Sequence, residues 1–157
     1  MKTFILGNAG SGKTTLAAKL ANESGAARLS LDDVAFDGGT ERRLLEESVA
    51  DVVQFTASHD AWVIEGCYAD IIAAVIKEDH ELCFLNPGVE TYVVRCRVRA
   101  WEPEKFASFQ DQQSHREVLI DWVRQYETRN DEYGPLAHRG LFHSFTGPKR
   151  TITREES

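Results

Sequence analysis

The chain has 157 residues, 42% of them hydrophobic and 27% charged, a balance that belongs to folded globular domains and excludes the disordered class. A formal net charge of -7 excludes the extended basic surface that broad nucleic-acid or anionic-membrane binding requires. No apolar run approaches the roughly 20 residues of a membrane span, so the expectation is one domain over residues 1–157, in a reducing cytoplasm, acting on small molecules.

In chain order, Thr3-Phe4-Ile5-Leu6 reads as a short buried strand. Gly7-Asn8-Ala9-Gly10-Ser11-Gly12-Lys13-Thr14 then fits G-x-x-x-x-G-K-[ST], and Leu16, Ala17, Leu20 and Ala21 recur at helical spacing behind it. Such a stretch between strand and helix is a phosphate-binding loop. Its glycines let successive backbone N–H groups face inward, and the helix N-terminus completes the cradle. Lys13 is expected to reach the terminal phosphates of a nucleotide, and the Thr14 hydroxyl to reach Mg²⁺. Gly25 is the predicted stop of this first helix.

A second strand is predicted over Ala27–Leu31, followed by Asp32 and Asp33. Asp37-Gly38-Gly39-Thr40 supplies a turn and an N-cap for a helix through Leu44, Leu45, Val49, Val52, Val53 and Thr56. Ala61-Trp62-Val63-Ile64 is a continuous apolar run, as expected of a strand buried on both faces of a parallel sheet, and it ends in Glu65-Gly66. Tyr68–Lys77 reads as a helix with Ile71, Ile72, Val75 and Ile76 on one face, and Glu81–Leu85 as a fourth strand stopped by Asn86-Pro87-Gly88. Val89 to Arg99 is read as a helix, although Tyr92-Val93-Val94 alone suits a strand. Trp101 to Ser114 is a polar excursion over the site, preceding a helix with Leu119, Trp122, Val123 and Tyr126 in register. Leu141–Phe145 is the predicted fifth strand, and the last residues from about 151 are a polar tail.

Strands alternating with helices imply right-handed crossovers, a parallel sheet and ligands at the carboxyl ends of the strands. The phosphate loop, Asp32-Asp33 and Glu65-Gly66 would then converge on one sheet edge. Glu65 is the candidate second Mg²⁺ holder beside Thr14, and either Asp32 or Asp33 could orient an acceptor hydroxyl. Arg95 and Arg99, four apart, share a helical face and suit a phosphate clamp over the site, unless they form only a solvated face. Cys67, Cys83 and Cys96 lack metal-ligand or disulfide spacing and read as buried free thiols, while the five histidines read as surface or capping residues.

On these residues the chain resembles the small P-loop kinases of the adenylate-kinase and shikimate-kinase type. Gly7 to Thr14 matches their Walker A loop, Trp62 to Gly66 resembles their hydrophobic strand ending in Asp-Gly, and Arg95 with Arg99 resembles their paired lid arginines. Phe145-Thr146-Gly147-Pro148-Lys149 resembles their adenine loop after the last strand. Within the group, Leu31-Asp32-Asp33, Ile64 to Tyr68 and the His138 to Lys149 pattern are most similar to the topology-modulation-type ATPases. The resemblance implies a three-layer α/β fold with a five-stranded parallel sheet ordered 2-3-1-4-5, a lid over the site at about 99–116, and ATP with Mg²⁺. The nucleotide-binding residues it implies are Gly7, Asn8, Ala9, Gly10, Ser11, Gly12, Lys13, Thr14 and Thr15, together with Arg95, Gly147 and Lys149. Its catalytic set is Lys13, Asp32, Asp33, Arg95 and Arg99, with Thr14 and Glu65 on the metal.

Departures narrow the acceptor. Glu65 stands where the family has Asp; Cys67-Tyr68-Ala69 replaces the stretch where nucleoside monophosphate kinases place an acceptor-binding Arg, leaving Arg42 or Arg43 as substitutes; and the shikimate-kinase glycine triplet is missing. No N-K-x-D motif indicates a GTPase. The expected function is transfer of the ATP γ-phosphate to a small-molecule hydroxyl, the alternative being an ATP-binding or ATP-hydrolysing switch that acts on a macromolecular partner. A nucleic-acid end kinase is disfavoured by the charge.

Overall fold

The computed structural model describes residues 1–8, 12–38, 41–85, 108–124 and 135–152. Its strands are β1 (Lys2–Gly7), β2 (Ala27–Ser30), β3 (Trp62–Gly66), β4 (Glu81–Leu85) and β5 (Lys149–Ile152). The described helices are α1 (Lys13–Ser24), α2 (Asp32–Ala35), α3 (Leu45–Ser58), α4 (Ala69–Val75), α5 (Phe109–Arg124) and α6 (Pro135–Ser144). All strand pairings are parallel, in the order β2-β3-β1-β4-β5.

The strands at the centre are apolar because both of their faces are covered. Phe4, Leu6, Trp62, Ile64, Leu82 and Phe84 point to one face, where they pack with Val52 of α3, Ile71 and Ile72 of α4 and Leu141 of α6. The alternate residues Ile5, Val63, Cys83 and Leu85 point to the other, against Leu16 and Ala17 of α1. Trp62 is fully buried, with its ring edge-on to Phe4 at 4.9 Å. Truncating it to Ala would cost about 3–5 kcal/mol.

Strand alternation also decides which way the functional residues face. Glu65 lies two residues beyond Val63 and therefore points toward α1, and in-register pairing puts Ser30 beside Glu65 and Arg28 beside Val63 on that face. The chain passes from β1 outward to β2, returns through β3, and only then crosses to β4. The carboxyl ends of β1 and β3 thus border the reversal point where open α/β sheets bind ligands.

Several expectations are corrected. Leu141 to Ser144 is the last turn of α6, not a strand; Leu141 and Phe145 lie four apart on the helix side, and the Phe145 N–H donates to the Leu141 carbonyl at 3.0 Å. The fifth strand is Lys149–Ile152, which takes in Thr151 and Ile152 of the expected tail. The second strand ends at Ser30 rather than Leu31, and Asp32 and Asp33 begin a one-turn helix. The helix α5 starts at Phe109, so residues 109–114 belong to it and not to an excursion. His80 and His138 are buried, not surface residues. The predicted helix over Val89–Arg99, Trp101, Cys96, Tyr126 and the Thr40 cap lie outside the described residues.

Candidate active site

The site is assembled at the carboxyl ends of β1, β2 and β3. Gly7 ends β1 and Asn8, fully buried, follows it. Gly12 enters α1 at φ 93° and ψ 13°, a left-handed conformation that a side chain would strain by roughly 1–2 kcal/mol. It leaves the first turn of α1 facing the loop, and the Leu16 N–H donates to its carbonyl at 2.9 Å. Lys13 folds back across the opening, where its ammonium donates to the Asn8 carbonyl at 3.0 Å. Thr14 and Thr15 are exposed in the first turn of α1. Ala9, Gly10 and Ser11 lie outside the described residues.

Thr14 meets the end of β3. Its hydroxyl donates to Oε1 of Glu65 at 3.3 Å, and Glu65 is only 4% exposed. The chain is tight here, because a Cβ on the following Gly66 would stand 2.7 Å from Cβ of Leu31. That approach is locked by the Leu31 N–H, which donates to the Glu65 carbonyl at 2.8 Å and delivers Asp32 and Asp33 next to the site.

Tyr68 adds a third strut. Its ring is 4% exposed and its hydroxyl donates to Oδ1 of Asp32 at 2.6 Å, a charge-assisted bond across 36 positions of sequence. The Arg42 guanidinium lies over the Tyr68 ring at 4.9 Å and pairs with Asp70 at 3.2 Å. Of the two arginines considered as acceptor binders, Arg43 is committed to structure: it binds Asp51 at 2.6 Å, Glu47 at 3.4 Å and the Val34 carbonyl at 3.0 Å. Its hydrogen bond to Asp51 raises its pKa further, so it is a fixed cation. Burial pushes the Cys67 thiol up to about 11 against the opposing pull of the Lys13 charge, which keeps it protonated and without a nucleophilic role at neutral pH. His138 donates through Nε2 to the Cys67 carbonyl at 2.8 Å, tying α6 to the turn behind Glu65.

Thr14, Arg28, Ser30, Asp32, Asp33 and Glu65 line one open cavity of about 360 Å³. Four of the six were singled out in the sequence. Arg28 and Ser30 were not, although the alternation in Arg28-Leu29-Ser30 marks both as one face of a strand.

The donor set suits a hard cation. Thr14 offers a hydroxyl and Glu65 a carboxylate, and the described residues contain no cluster of three or more His, Cys, Asp or Glu placed to hold a metal. That is the pattern for Mg²⁺, which keeps several waters and takes one or two protein oxygens plus phosphate oxygens.

Gly147 and Lys149 are not brought to this site. Lys149 pairs with Leu82 near the start of β4, whereas the phosphate loop leaves the sheet at Gly7, which pairs with Leu85. The two ends are about 10 Å apart along the strand. Lys149 instead caps α6, donating to the carbonyls of Phe142 at 2.8 Å, Phe145 at 3.1 Å and His143 at 3.4 Å. Gly147 is required by contact, since a Cβ there would stand 2.4 Å from the Glu78 carbonyl and the Phe145 ring. Arg95 and Arg99 lie outside the described residues.

No protein-family profile matches the sequence, and no curated protein does. Solved structures do. A gluconokinase from Sinorhizobium meliloti aligns with 98% of this chain and 83% of its own at 12% identity and a TM-score of 0.54. A sugar kinase from Janibacter sp. aligns with 96% of this chain and 83% of its own at 13% identity and a TM-score of 0.52. The YorR protein of Bacillus subtilis, solved in complex with phosphorylated GDP, aligns with 96% and 84% at 13% identity and a TM-score of 0.52. The sheet order, the loop after β1 and these likenesses define the fold class: a small-molecule kinase fold of the P-loop type.

Proposed function

We propose that this protein is an ATP-dependent phosphotransferase that moves the γ-phosphate to a hydroxyl of a small acceptor. The observation that carries the reading is the approach of Thr14 to Glu65 at 3.3 Å beside a cavity that also holds Asp32. The groups read here as metal-holding, Thr14 and Glu65, thereby share one mouth with the one read as acceptor-orienting, Asp32. The gluconokinase and sugar kinase of like fold support it.

Lys13 and the first backbone amides of α1 hold the β- and γ-phosphates and offset the charge that spreads over the migrating group. Thr14 and Glu65 would hold Mg²⁺, which supplies charge neutralisation on the phosphate oxygens. Asp32 accepts the hydrogen of the acceptor hydroxyl and aims its oxygen at phosphorus. As the new O–P bond forms, the bond to the β-phosphate oxygen breaks, ADP leaves with that electron pair, and the proton passes to the Asp32 carboxylate. Tyr68 selects Asp32 over Asp33. By occupying Oδ1 it fixes the carboxylate and leaves Oδ2 for the acceptor, and orientation matters more than basicity in phosphoryl transfer. Arg95 and Arg99 would close over the transferring group. The switch alternative gains no feature from the described residues.

Calorimetry with Mg·ATP tests the nucleotide half of the reading. Wild type should release binding heat, and Lys13→Ala should lose it while unfolding within a few degrees of wild type without nucleotide. Absence of heat in the wild type would overturn the proposal.

A further inference from the structure

We infer that Arg42 is a positioning residue for the reaction: stacked on the Tyr68 ring and tied to Asp70, it sets the ring plane and so aims the Tyr68 hydroxyl at Asp32; this rests on the phosphotransfer reading above. The torsion about a tyrosine ring axis is broad and roughly two-fold, so the ring plane is fixed by what packs against it rather than by a rotamer well. A phenol O–H prefers to lie in that plane, because a lone pair of the oxygen conjugates with the ring. The plane therefore decides where the proton points. In Tyr68 it points at Oδ1 of Asp32, 2.6 Å away.

One short stretch of chain supplies both groups that hold the ring. Phe36 and Arg42 face each other across an isolated antiparallel bridge, and the Arg43 N–H donates to the Ala35 carbonyl at 2.8 Å. Phe36 meets the Tyr68 ring edge-on, with the two planes at 70°. The Arg42 guanidinium carbon stands 4.9 Å from the ring centroid, inside the reach of about 6 Å of a cation–π contact. The backbone that carries Arg42 is itself anchored, since the neighbouring Arg43 binds Glu47 and Asp51 of α3. Asp70, in the first turn of α4, accepts from Nη2 of Arg42 at 3.2 Å and from the Ile71 N–H at 2.9 Å, so the guanidinium is held from the helix that Tyr68 precedes. Only 19% of the Arg42 side chain and 31% of the Asp70 side chain are exposed, which spares the pair much of the screening that weakens surface ion pairs. A planar guanidinium lies flat on a ring while donating in its own plane to a carboxylate, a combination closed to a lysine ammonium. The cation on the face also draws electron density from the ring, which makes the phenol a stronger donor. Arg42 thus acts on the acceptor through Tyr68 and Asp32 and not by touching it.

The test uses the full chain carrying ¹³C at Cζ of its tyrosines, a carbon whose NMR signal in mixed light and heavy water splits in two when the hydroxyl exchanges slowly. The Tyr68 signal is the one lost in Tyr68→Phe. It should be split in wild type, and Arg42→Met should merge the pair by speeding hydroxyl exchange at least about tenfold more than that of the Ile64 amide in β3, which reports lost stability alone. Arg42→Lys, which keeps the charge without the plane, should not restore slow exchange. Asp70→Asn, which loosens the guanidinium and leaves the ring contacts, should speed it by a smaller factor, and it carries the test where Arg42→Met does not fold. Mg·ATP turnover with water as the acceptor reads the consequence. Arg42→Met and Tyr68→Phe should each lower kcat about three- to thirtyfold, and their double variant no further, with KM for ATP within about twofold of wild type. Hydroxyl exchange that merely follows the Ile64 amide in Arg42→Met, full restoration by Arg42→Lys, or a raised KM at unchanged kcat overturns the inference and leaves phosphotransfer standing. Faster exchange with kcat at the wild-type value in both Arg42→Met and Tyr68→Phe reduces Arg42 to a structural residue and sinks Asp32 as the acceptor-orienting group.

Discussion

Removing the Tyr68 hydroxyl tests how the site is held together. In Tyr68→Phe the ring keeps its buried position, its edge contact with Phe36 at 6.1 Å and the Arg42 guanidinium above it, and the 2.6 Å bond to Asp32 is lost. A hydrogen bond to a charged group contributes about 1.5–3 kcal/mol. Asp32 is open to water on its cavity side, which can replace part of that, so the lower end applies, about 1–2 kcal/mol or roughly 3–6 °C in Tm for a chain of this size. Urea unfolding of wild type, Tyr68→Phe, Asp32→Asn and the double variant isolates the pair. A coupling energy of about 1–2 kcal/mol is expected, and one indistinguishable from zero, within about 0.5 kcal/mol, would refute the claim that Tyr68 fixes Asp32.

Two further outcomes follow from the geometry. Lys149→Ala should lower stability by about 1 kcal/mol, because it strips the cap from three carbonyls at the end of α6. Its affinity for Mg·ATP by calorimetry should stay within about twofold of wild type; a large loss would restore Lys149 to the nucleotide site. His80 is held neutral by burial, which lowers its pKa below the ordinary value; Asp79 opposes this, and Lys2 and Lys77 add to it. A histidine with a depressed folded-state pKa stabilises the fold above its unfolded pKa, and that contribution is lost as pH falls. Protonating Nδ1 also removes the acceptor of the Lys77 N–H at 3.0 Å, between the rings of Phe4 and Trp62. Tm should therefore fall between pH 7.5 and pH 5.5, and by less in His80→Gln; equal pH dependence in both proteins would rule the group out.

The parts of this molecule that sequence reveals are those repeated along the chain. β4 is found over Glu81–Leu85, the first helix stops at Gly25 with φ 73°, and the sheet order 2-3-1-4-5 is the expected one. Thr14 and Glu65, expected on one metal, are hydrogen-bonded across 51 positions. The fifth strand escaped because it lies at the sheet edge and needs no apolar run: Lys149, Arg150 and Thr151 are exposed and only Ile152 is buried. Leu141–Phe145 misled because a short apolar run fits a buried strand and a helix face equally well. α2 is one turn long, too short to show a period. That Asp32 rather than Asp33 meets the Tyr68 hydroxyl could not be read at all, since the two come together across 36 positions of sequence.

β2 and β5 are the two outermost strands, each four residues long, and they carry Arg28 on one flank and Lys149 with Arg150 on the other. Open backbone edges invite pairing with another chain, and short strands bearing exposed cations discourage it. On the β2 side the discouraging cation is also the one that faces the cavity. An apolar replacement of Arg28 would consequently open a route to aggregation along that flank, so variants at this position are best made polar and followed by light scattering as well as by turnover.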